Sequence, residues 1–445
     1  MGAVATAMRD LGFAISGQDE KIYPPMSDYL LSKHIPITQG YHPNAIPADT
    51  DFLVVGNAIS RGNPALEFAL NRKLLCLSLP ETLKLFFLHG KQNLVVTGTH
   101  GKTTTTAMLA WILEFAERSP SWLIGGIPIN LPSSAAFRPS RIFVLEGDEY
   151  DSAFFDKRSK FLHYLPELAI INNIEFDHAD IYRDLDDVKN SFRHLVKLIP
   201  SEGMLLVNAD DHNATEVAAD APCPIIEVGF SPNAAHHISQ ATTSPSGSSF
   251  ELLGAHFHIS MPGEFNIRNA AMAISAAYFY GIPLPTIREA LLQFKGIRRR
   301  QEVRGIVRDI TIIDDFGHHP TAVRETLKAL KHQYPQARIW AVLEPRSNTT
   351  RRKVFQKTWP SALEPAHGTI IAQVARSEQL PPSERFDPSE LVRDLETNGK
   401  LAFHEPTTDK IVDRLTSLAT PGDLIVIFSN GGFDGIHQKI LSALA

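Results

Sequence analysis

At 445 residues the chain has length for about three domains of ordinary size, and a hydrophobic content of 43% gives each a core, which excludes a disordered protein. Lys plus Arg number 43 against 49 Asp plus Glu, a formal charge of -6, so no general attraction to nucleic acid or an anionic membrane is expected and any phosphate chemistry must be local. The longest nearly uninterrupted apolar run, 270–280, contains Ser275 and falls short of a bilayer span, while Cys76 and Cys223 form no CxxC, so a thiolate zinc site is not expected and a reducing cytosol fits.

The chain opens without the basic start and apolar stretch of a secretory signal. Ala3, Ala7 and Leu11 share one stripe and predict a helix from 2 to 11, followed by strands at 13–16, 52–55 and 74–77 and a helix at 64–71. This alternation predicts a small α/β domain over 1–89. A second α/β domain is expected over 90–300: a buried strand at 93–97, a helix at 107–117, strands at 142–145 and 168–172, then a strand-rich excursion over 203–261. The Ser/Thr/Pro/Gly stretch at 241–249 reads as an exposed turn, and 294–300 as the exit hinge. The third domain, 301–445, again alternates, with strands predicted at 310–314, 339–343, 369–374 and 424–428 and a surface loop at 381–388.

Four strings carry chemistry. GTHGKT at 98–103 sits at a strand-to-helix junction, where glycines let backbone amides converge on phosphate oxygens, the helix amino end adds partial positive charge, and Lys102 supplies a full one. Thr103 has the hydroxyl that ligates Mg²⁺ in such loops. LEGDEYD, around Glu146, ends an apolar strand in carboxylates, the place from which a nucleotide-bound Mg²⁺ is held. NNIEFDHAD brings Asn173, Glu175, Asp177 and His178 to a second strand end. FGHHP at 316–320 is a poor zinc site because adjacent histidines diverge and no third soft ligand lies at metal spacing. Arg298, Arg299 and Arg300, at the hinge, suit a clamp on nucleotide phosphates.

In this order, GTHGKTTT, EGDE, NIEFDHAD, PGEFNIRNA, FKGIRRRQE and DDFGHHPT resemble the Mur ligase family, the ATP-dependent ligases of bacterial peptidoglycan assembly, over essentially the whole chain. YPPMS at 23–27, GNAISRGNP at 56–64, EYDSAFFDKRSKF at 149–161, LEPRSNT at 343–349 and SNGGFDGIHQK at 429–439 resemble the branch that attaches a whole tripeptide rather than L-alanine. The resemblance implies a three-domain α/β architecture: a Rossmann-like amino-terminal domain for a UDP-sugar, a central P-loop ATPase, and a Rossmann-like carboxyl-terminal domain for the peptide. It implies a cytoplasmic enzyme whose substrates are UDP-N-acetylmuramate and a murein tripeptide, with ATP and Mg²⁺, and with no nucleic acid or membrane partner. The sugar's carboxylate attacks the γ-phosphate, and the peptide amine then displaces phosphate from the acyl phosphate.

By the same resemblance Gly98, Thr99, His100, Gly101, Lys102, Thr103 and Thr104 hold the phosphates. Asn269 meets adenine, Arg300 a phosphate and Asp315 the ribose, the ATP site being completed when the carboxyl-terminal domain closes over it. Thr103 with Glu146, and Glu146 with His178, match the ligands of two cations that cancel repulsion between carboxylate and phosphate. Asp19, Asn57, Arg61 and Asn63 are candidates for the UDP-sugar. Arg346, Ser347, Asn348, Ser429 and Asn430 are candidates for the peptide's carboxylates.

Two departures stand out. The family's first strand and its GxGGxxM loop are not present, Met1-Gly2 resembling the tail of that loop, so a gap in the first sheet is expected. Phe192 occupies the place of a carbamylated lysine, so no carbamylation is expected. Among other classes, a GTPase switch would carry an NKxD motif, and the chain has no Asn-Lys pair. An inactive remnant would fail to turn over ATP.

Overall fold

The computed structural model describes residues 1–22 and 26–445, so Tyr23, Pro24 and Pro25 of the YPPMS string lie outside the described residues. The chain forms two compact units: Met1–Gly125 with Ser133–Ile174 and Lys189–Glu227, and Gly126–Pro132 with Glu175–Val188 and Val228–Ala445. Among the described residues no helix is long and apolar enough to cross a membrane.

The first unit opens with the helix Gly2–Asp10, which buries Val4, Ala7 and Met8, the i, i+3, i+4 stripe of an amphipathic helix. Strand Gly17–Asp19 runs parallel to Ile37–Gln39, and Phe52–Val55 parallel to Leu75–Ser78, as two separate pairs rather than one sheet. The strand expected at 13–16 begins at Gly17 instead. Phe13 is used for packing, edge-on to Phe52 and Phe86 with ring centroids 6.1 and 5.2 Å away.

The larger sheet of this unit has the neighbour order Ile225–Gly229, Met204–Asn208, Pro166–Ile171, Gln92–Thr97, Ile142–Glu146, Ser121–Leu123, Ala135–Ala136. Runs such as NLVV and MLLVN are buried on both faces, as a mainly parallel, helix-covered sheet requires. The chain starts this sheet at Gln92–Thr97, with the strands that follow it placed on both sides. Its carboxyl end is therefore the topological switch point, where open α/β sheets bind ligands. Helix Lys102–Phe115 follows at once, starting five residues before the expected 107. The four threonines that look poor for a helix are buried there, and the Thr106 hydroxyl donates back to Lys102 O at 2.7 Å.

In the second unit, strands Ser239–Ser244, Gly247–Leu252 and Ala255–Ile259 form an antiparallel sheet against helices Glu264–Phe279 and Leu284–Leu292. The stretch read as an exposed turn is thus mostly a hairpin. Gly247, at φ 132°, makes the close return possible, since a Cβ there would collide with Ile259 O.

The six-stranded sheet runs Glu302–Val307, Ile310–Asp315, Leu424–Phe428, Ile339–Leu343, Gly368–Ala372, Leu401–Glu405, with only the first pair antiparallel. Alternate residues serve opposite faces: Ile313, Ala341 and Val426 enter one core with helix Pro320–Gln333, while Ile312, Trp340 and Ile425 enter another with helices Thr408–Leu418 and Ile436–Leu444. Both edge strands escape the sequence reading because Glu302 and Arg304 in one, and His404 and Glu405 in the other, interrupt the apolar signal. The loop expected at 381–388 holds a short turn of helix, Pro382–Glu384, and ends where helix Pro388–Thr397 begins.

Candidate active site

The switch point in the first unit is built by two demands on the backbone. Gly98 (φ 127°) passes so close to the neighbouring strand end that a Cβ would lie 3.0 Å from Asn173 N, and Gly101 (φ 80°) turns the chain into helix Lys102–Phe115. The loop between them is tied down: Thr99 N donates to Asn173 O at 3.0 Å and His100 N to Asn173 Oδ1 at 2.7 Å. This corrects the expectation that all the amides from 98 to 103 face phosphate, because those of Thr99 and His100 satisfy Asn173. The amides left for an anion are those of the helix's first turn, which have no intrahelical acceptor.

Lys102 Nζ donates to Gly98 O at 2.6 Å and Thr99 O at 3.1 Å, and lies 2.8 Å from Glu149 Oε2. Burial pushes its pKa down, but Glu149, Asp148 and Glu146 more than offset this and hold it above the usual value. The Thr103 hydroxyl donates to Glu146 Oε1 at 2.8 Å, and Gly125 N to Glu146 Oε2 at 2.6 Å. Burial raises the Glu146 carboxyl despite those two bonds and Lys102, so proximity to a further cation would be favourable there. A hydroxyl and a carboxylate, both hard oxygen donors, side by side at a phosphate loop are the donor set that a Mg²⁺ carrying water and phosphate ligands requires. The structure therefore brings Lys102, Thr103 and Glu146 together. It adds Glu149, which sequence reasoning left among loop acids; its signal was the position three residues after Glu146.

Phe192, at the place of the modified lysine, is fully buried against Phe161 with centroids 5.2 Å apart. In the amino-terminal part, Asp19 ends its strand exposed, accepting from Lys21 N at 3.2 Å, and Asn57 is exposed. Two other sugar candidates have structural work. Arg61 is paired with Glu67 through bonds of 2.9 and 3.1 Å, and Asn63 caps helix Pro64–Asn71, its Oδ1 accepting from Ala65 N and Leu66 N at 3.1 Å each.

In the second unit Asp177 is buried. Burial alone would raise its carboxyl, but His178, His318, His319 and a bond from Thr349 hold it well below the usual range. His178 stands in the left-handed region (φ 56°), its amide donating to Asp177 Oδ1 at 2.7 Å. His319 caps helix Pro320–Gln333, its Nδ1 accepting from Thr321 N at 3.2 Å. Asp315 accepts from Gly317 N at 2.7 Å and Gln301 N at 2.9 Å, and burial raises its pKa in spite of Arg300. Arg300 stacks over Phe316 at 5.3 Å, and Asn269 is buried on helix Glu264–Phe279, 3.5 Å from Asn266 Oδ1. The three-arginine clamp is not what forms. Arg298 pairs with Glu302, and Arg299 with Asp314 at 3.2 Å and Ser429 O at 2.7 Å, which leaves Arg300 as the phosphate candidate.

The peptide candidates fall into two groups. Arg346 lies across Gly431, where a Cβ would collide with its guanidinium, and is 3.4 Å from Glu344, which also accepts from the Ser429 hydroxyl. Asn430 Oδ1 is buried with no donor among the described residues. Asn348 bridges Asp180, at 2.7 Å, and Arg351, at 2.8 Å, while Ser347 Oγ accepts from Thr350 N at 3.1 Å, a loop-closing bond. Arg351 was missed by the sequence reading. It is 5% exposed, hydrogen-bonded to Arg376 O, Gln379 and Asn348, and its pKa is lowered by burial and then by Arg376 and Arg352.

A glycine loop with a part-buried lysine at the switch point, followed by a threonine–glutamate pair, defines a nucleoside-triphosphate-binding α/β enzyme. Comparison with known proteins narrows the class. The Mur ligase middle domain matches residues 96–277, the Mur ligase glutamate ligase domain 299–431, and the domain described as Mur ligase family, catalytic domain, 1–90. The UDP-N-acetylmuramate–L-alanyl-γ-D-glutamyl-meso-2,6-diaminoheptandioate ligase of Escherichia coli K12 is 39% identical, over 100% of this chain and 96% of that protein. The UDP-N-acetylmuramate–L-alanine ligase of Clostridium acetobutylicum is 30% identical over 99% and 95%. A solved murein peptide ligase from Psychrobacter arcticus 273-4 is 36% identical with a TM-score of 0.74, covering 100% of this chain and 96% of that one. The chain belongs to the Mur ligase family. It is an ATP-dependent, amide-bond-forming ligase.

Proposed function

We propose that this enzyme joins UDP-N-acetylmuramate to L-alanyl-γ-D-glutamyl-meso-diaminopimelate in peptidoglycan recycling, using ATP to activate the sugar's carboxylate as an acyl phosphate. The observation that carries the chemistry is the part-buried constellation of Lys102, Thr103 and Glu146 at the switch point. The choice of acceptor is supported by the 39% identity to a tripeptide ligase against 30% to an L-alanine ligase, with coverages within one percentage point of each other.

Lys102 and the first-turn amides neutralise the β- and γ-phosphates, donors of a kind whose single removal typically costs about 3 to 4 kcal/mol of barrier. Thr103 and Glu146 would hold Mg²⁺, which supplies charge cancellation between the attacking carboxylate and the phosphate. His178 is proposed as a further metal ligand on the family resemblance, and Asn269, Arg300 and Asp315 as contacts for adenine, phosphate and ribose. For the peptide's carboxylates the proposed groups are Arg346, Ser429 and Asn430, with Ser347 and Asn348 shaping the loop that carries them. Asp19 and Asn57 remain the sugar-side candidates; Arg61 and Asn63 are reassigned to structure.

The test is acceptor competition. Tripeptide and L-alanine are offered with UDP-N-acetylmuramate and ATP, and amide formation is expected with tripeptide; a clear preference for L-alanine would move the enzyme to the other branch. Oxygen-18 in the sugar's carboxylate is expected in the released phosphate, and its absence would rule out the acyl phosphate.

A further inference from the structure

Lys102 is the cation the phosphate loop offers a nucleotide, yet here its ammonium is fully used. An ammonium has three protons. Gly98 O at 2.6 Å, Thr99 O at 3.1 Å and the Glu149 carboxylate, at 2.8 Å to the nearer oxygen, supply three acceptors. The pair is secluded: the side chains of Lys102 and Glu149 are 13% and 3% exposed. A phosphate oxygen that engages Lys102 must therefore displace one acceptor. The two carbonyls belong to loop backbone fixed by the Gly98 conformation and by Asn173. Glu149 reaches in on a rotatable side chain from the loop between strands Ile142–Glu146 and Asp151–Ala153, so it is the partner able to yield. Its charge matters in both states: it competes with phosphate for the same ammonium, in a buried setting where such competition is weakly screened.

We propose that Glu149 is an electrostatic latch on Lys102, a positioning residue that keeps the lysine folded onto its own loop until a nucleotide phosphate replaces the carboxylate, and that thereby sets nucleotide affinity. The inference rests on the reading of 98–103 as the ATP loop.

The experiment is a double-mutant cycle on ATP binding to the full chain without Mg²⁺, by competition against a fluorescent nucleotide so that weak binding stays measurable. Glu149→Gln is expected to bind ATP at least fivefold more tightly than the wild type, and the gain is expected to vanish on a Lys102→Met background. An equal gain on both backgrounds would mean that Glu149 simply repels phosphate, and no gain on the wild-type background would mean that it does not restrain the lysine; either overturns the latch. If Glu149→Gln does not fold, Glu149→Asp, with its charge drawn back by a methylene, is expected to show a smaller gain that also vanishes with Lys102→Met. Failure of the underlying reading looks different: the wild type then does not bind ATP, or Lys102→Met binds it equally well.

Discussion

Gly125→Ala tests Glu146 as a metal ligand without altering any group that ligates. Gly125 is outside the left-handed region, so its backbone accepts alanine, but a Cβ there would lie 2.9 Å from both carboxylate oxygens of Glu146 and 3.0 Å from its Cδ. Ordinary contact begins near 3.4 Å, so the carboxylate must retreat by about 0.5 Å. That is roughly a quarter of a Mg²⁺–oxygen bond of about 2.0–2.1 Å, and Mg²⁺ demands near-ideal octahedral geometry. The Thr103 hydroxyl, 2.8 Å from Oε1 on the other side, limits how far the group can adjust. A rise of about tenfold or more in the Mg²⁺ concentration for half-maximal turnover is expected, equivalent to about 1.4 kcal/mol. The assay is ATP- and tripeptide-dependent phosphate release across a Mg²⁺ titration, with the thermal midpoint recorded alongside. Superimposable Mg²⁺ curves for a folded variant would refute the reasoning.

Lys102→Met is expected to lower turnover by at least about a hundredfold through loss of transition-state charge stabilisation, with circular dichroism still that of a folded protein while the unfolding midpoint falls because buried Glu149 loses its ion-pair partner; near-normal turnover would mean that the phosphate loop is misassigned. Asn63→Ala should cost about 1 kcal/mol of stability through loss of the cap on helix Pro64–Asn71, with the KM for the UDP-sugar unchanged; a raised KM at unchanged stability would restore Asn63 to the sugar site. Asp156 is held down to about 2 by its bond from Arg158, against burial and with help from His163, so as a depressed acid it stabilises the fold above its unfolded value of 3.8 and that contribution is lost as pH falls from about 4 to about 2. Arg158 is 63% exposed, so solvent screening reduces the contribution to about 1 kcal/mol. Denaturant titrations should find Asp156→Asn less stable by that amount at neutral pH and equal to wild type near pH 2; a constant difference across that range would contradict the linkage.

Much of the site was legible in the sequence because its chemistry is local. GTHGKT needs glycine where the backbone turns through φ 127° and 80°, lysine and threonine at the start of a helix, and a buried strand before it, and all of these are adjacent in the chain. The alternation of apolar strands and amphipathic helices likewise fixes the α/β class, since period-2 and period-3.6 patterns each have one way to bury their apolar side. What it missed were the partners. That Asn63 caps a helix, that Arg61 and Arg298 are taken up by Glu67 and Glu302, and that Asn173 occupies the amides of Thr99 and His100 are competitions among polar groups, decided by which neighbour arrives within hydrogen-bond distance. Motif spacing names the donors but does not say whether they are already spent.

By itself, then, the sequence determined the class of fold, the glycine loop at the strand-to-helix junction and the family, because these depend on residue types at short range. Only the tertiary structure decided that Glu149 holds Lys102, that Glu146 is clasped between Thr103 and Gly125, and that Arg351 is a buried cation ringed by neutral acceptors. The physical reason is one of distance: 47 residues separate Lys102 from Glu149 along the chain, and their charges meet within 2.8 Å only because parallel strands deliver both to one end of a sheet.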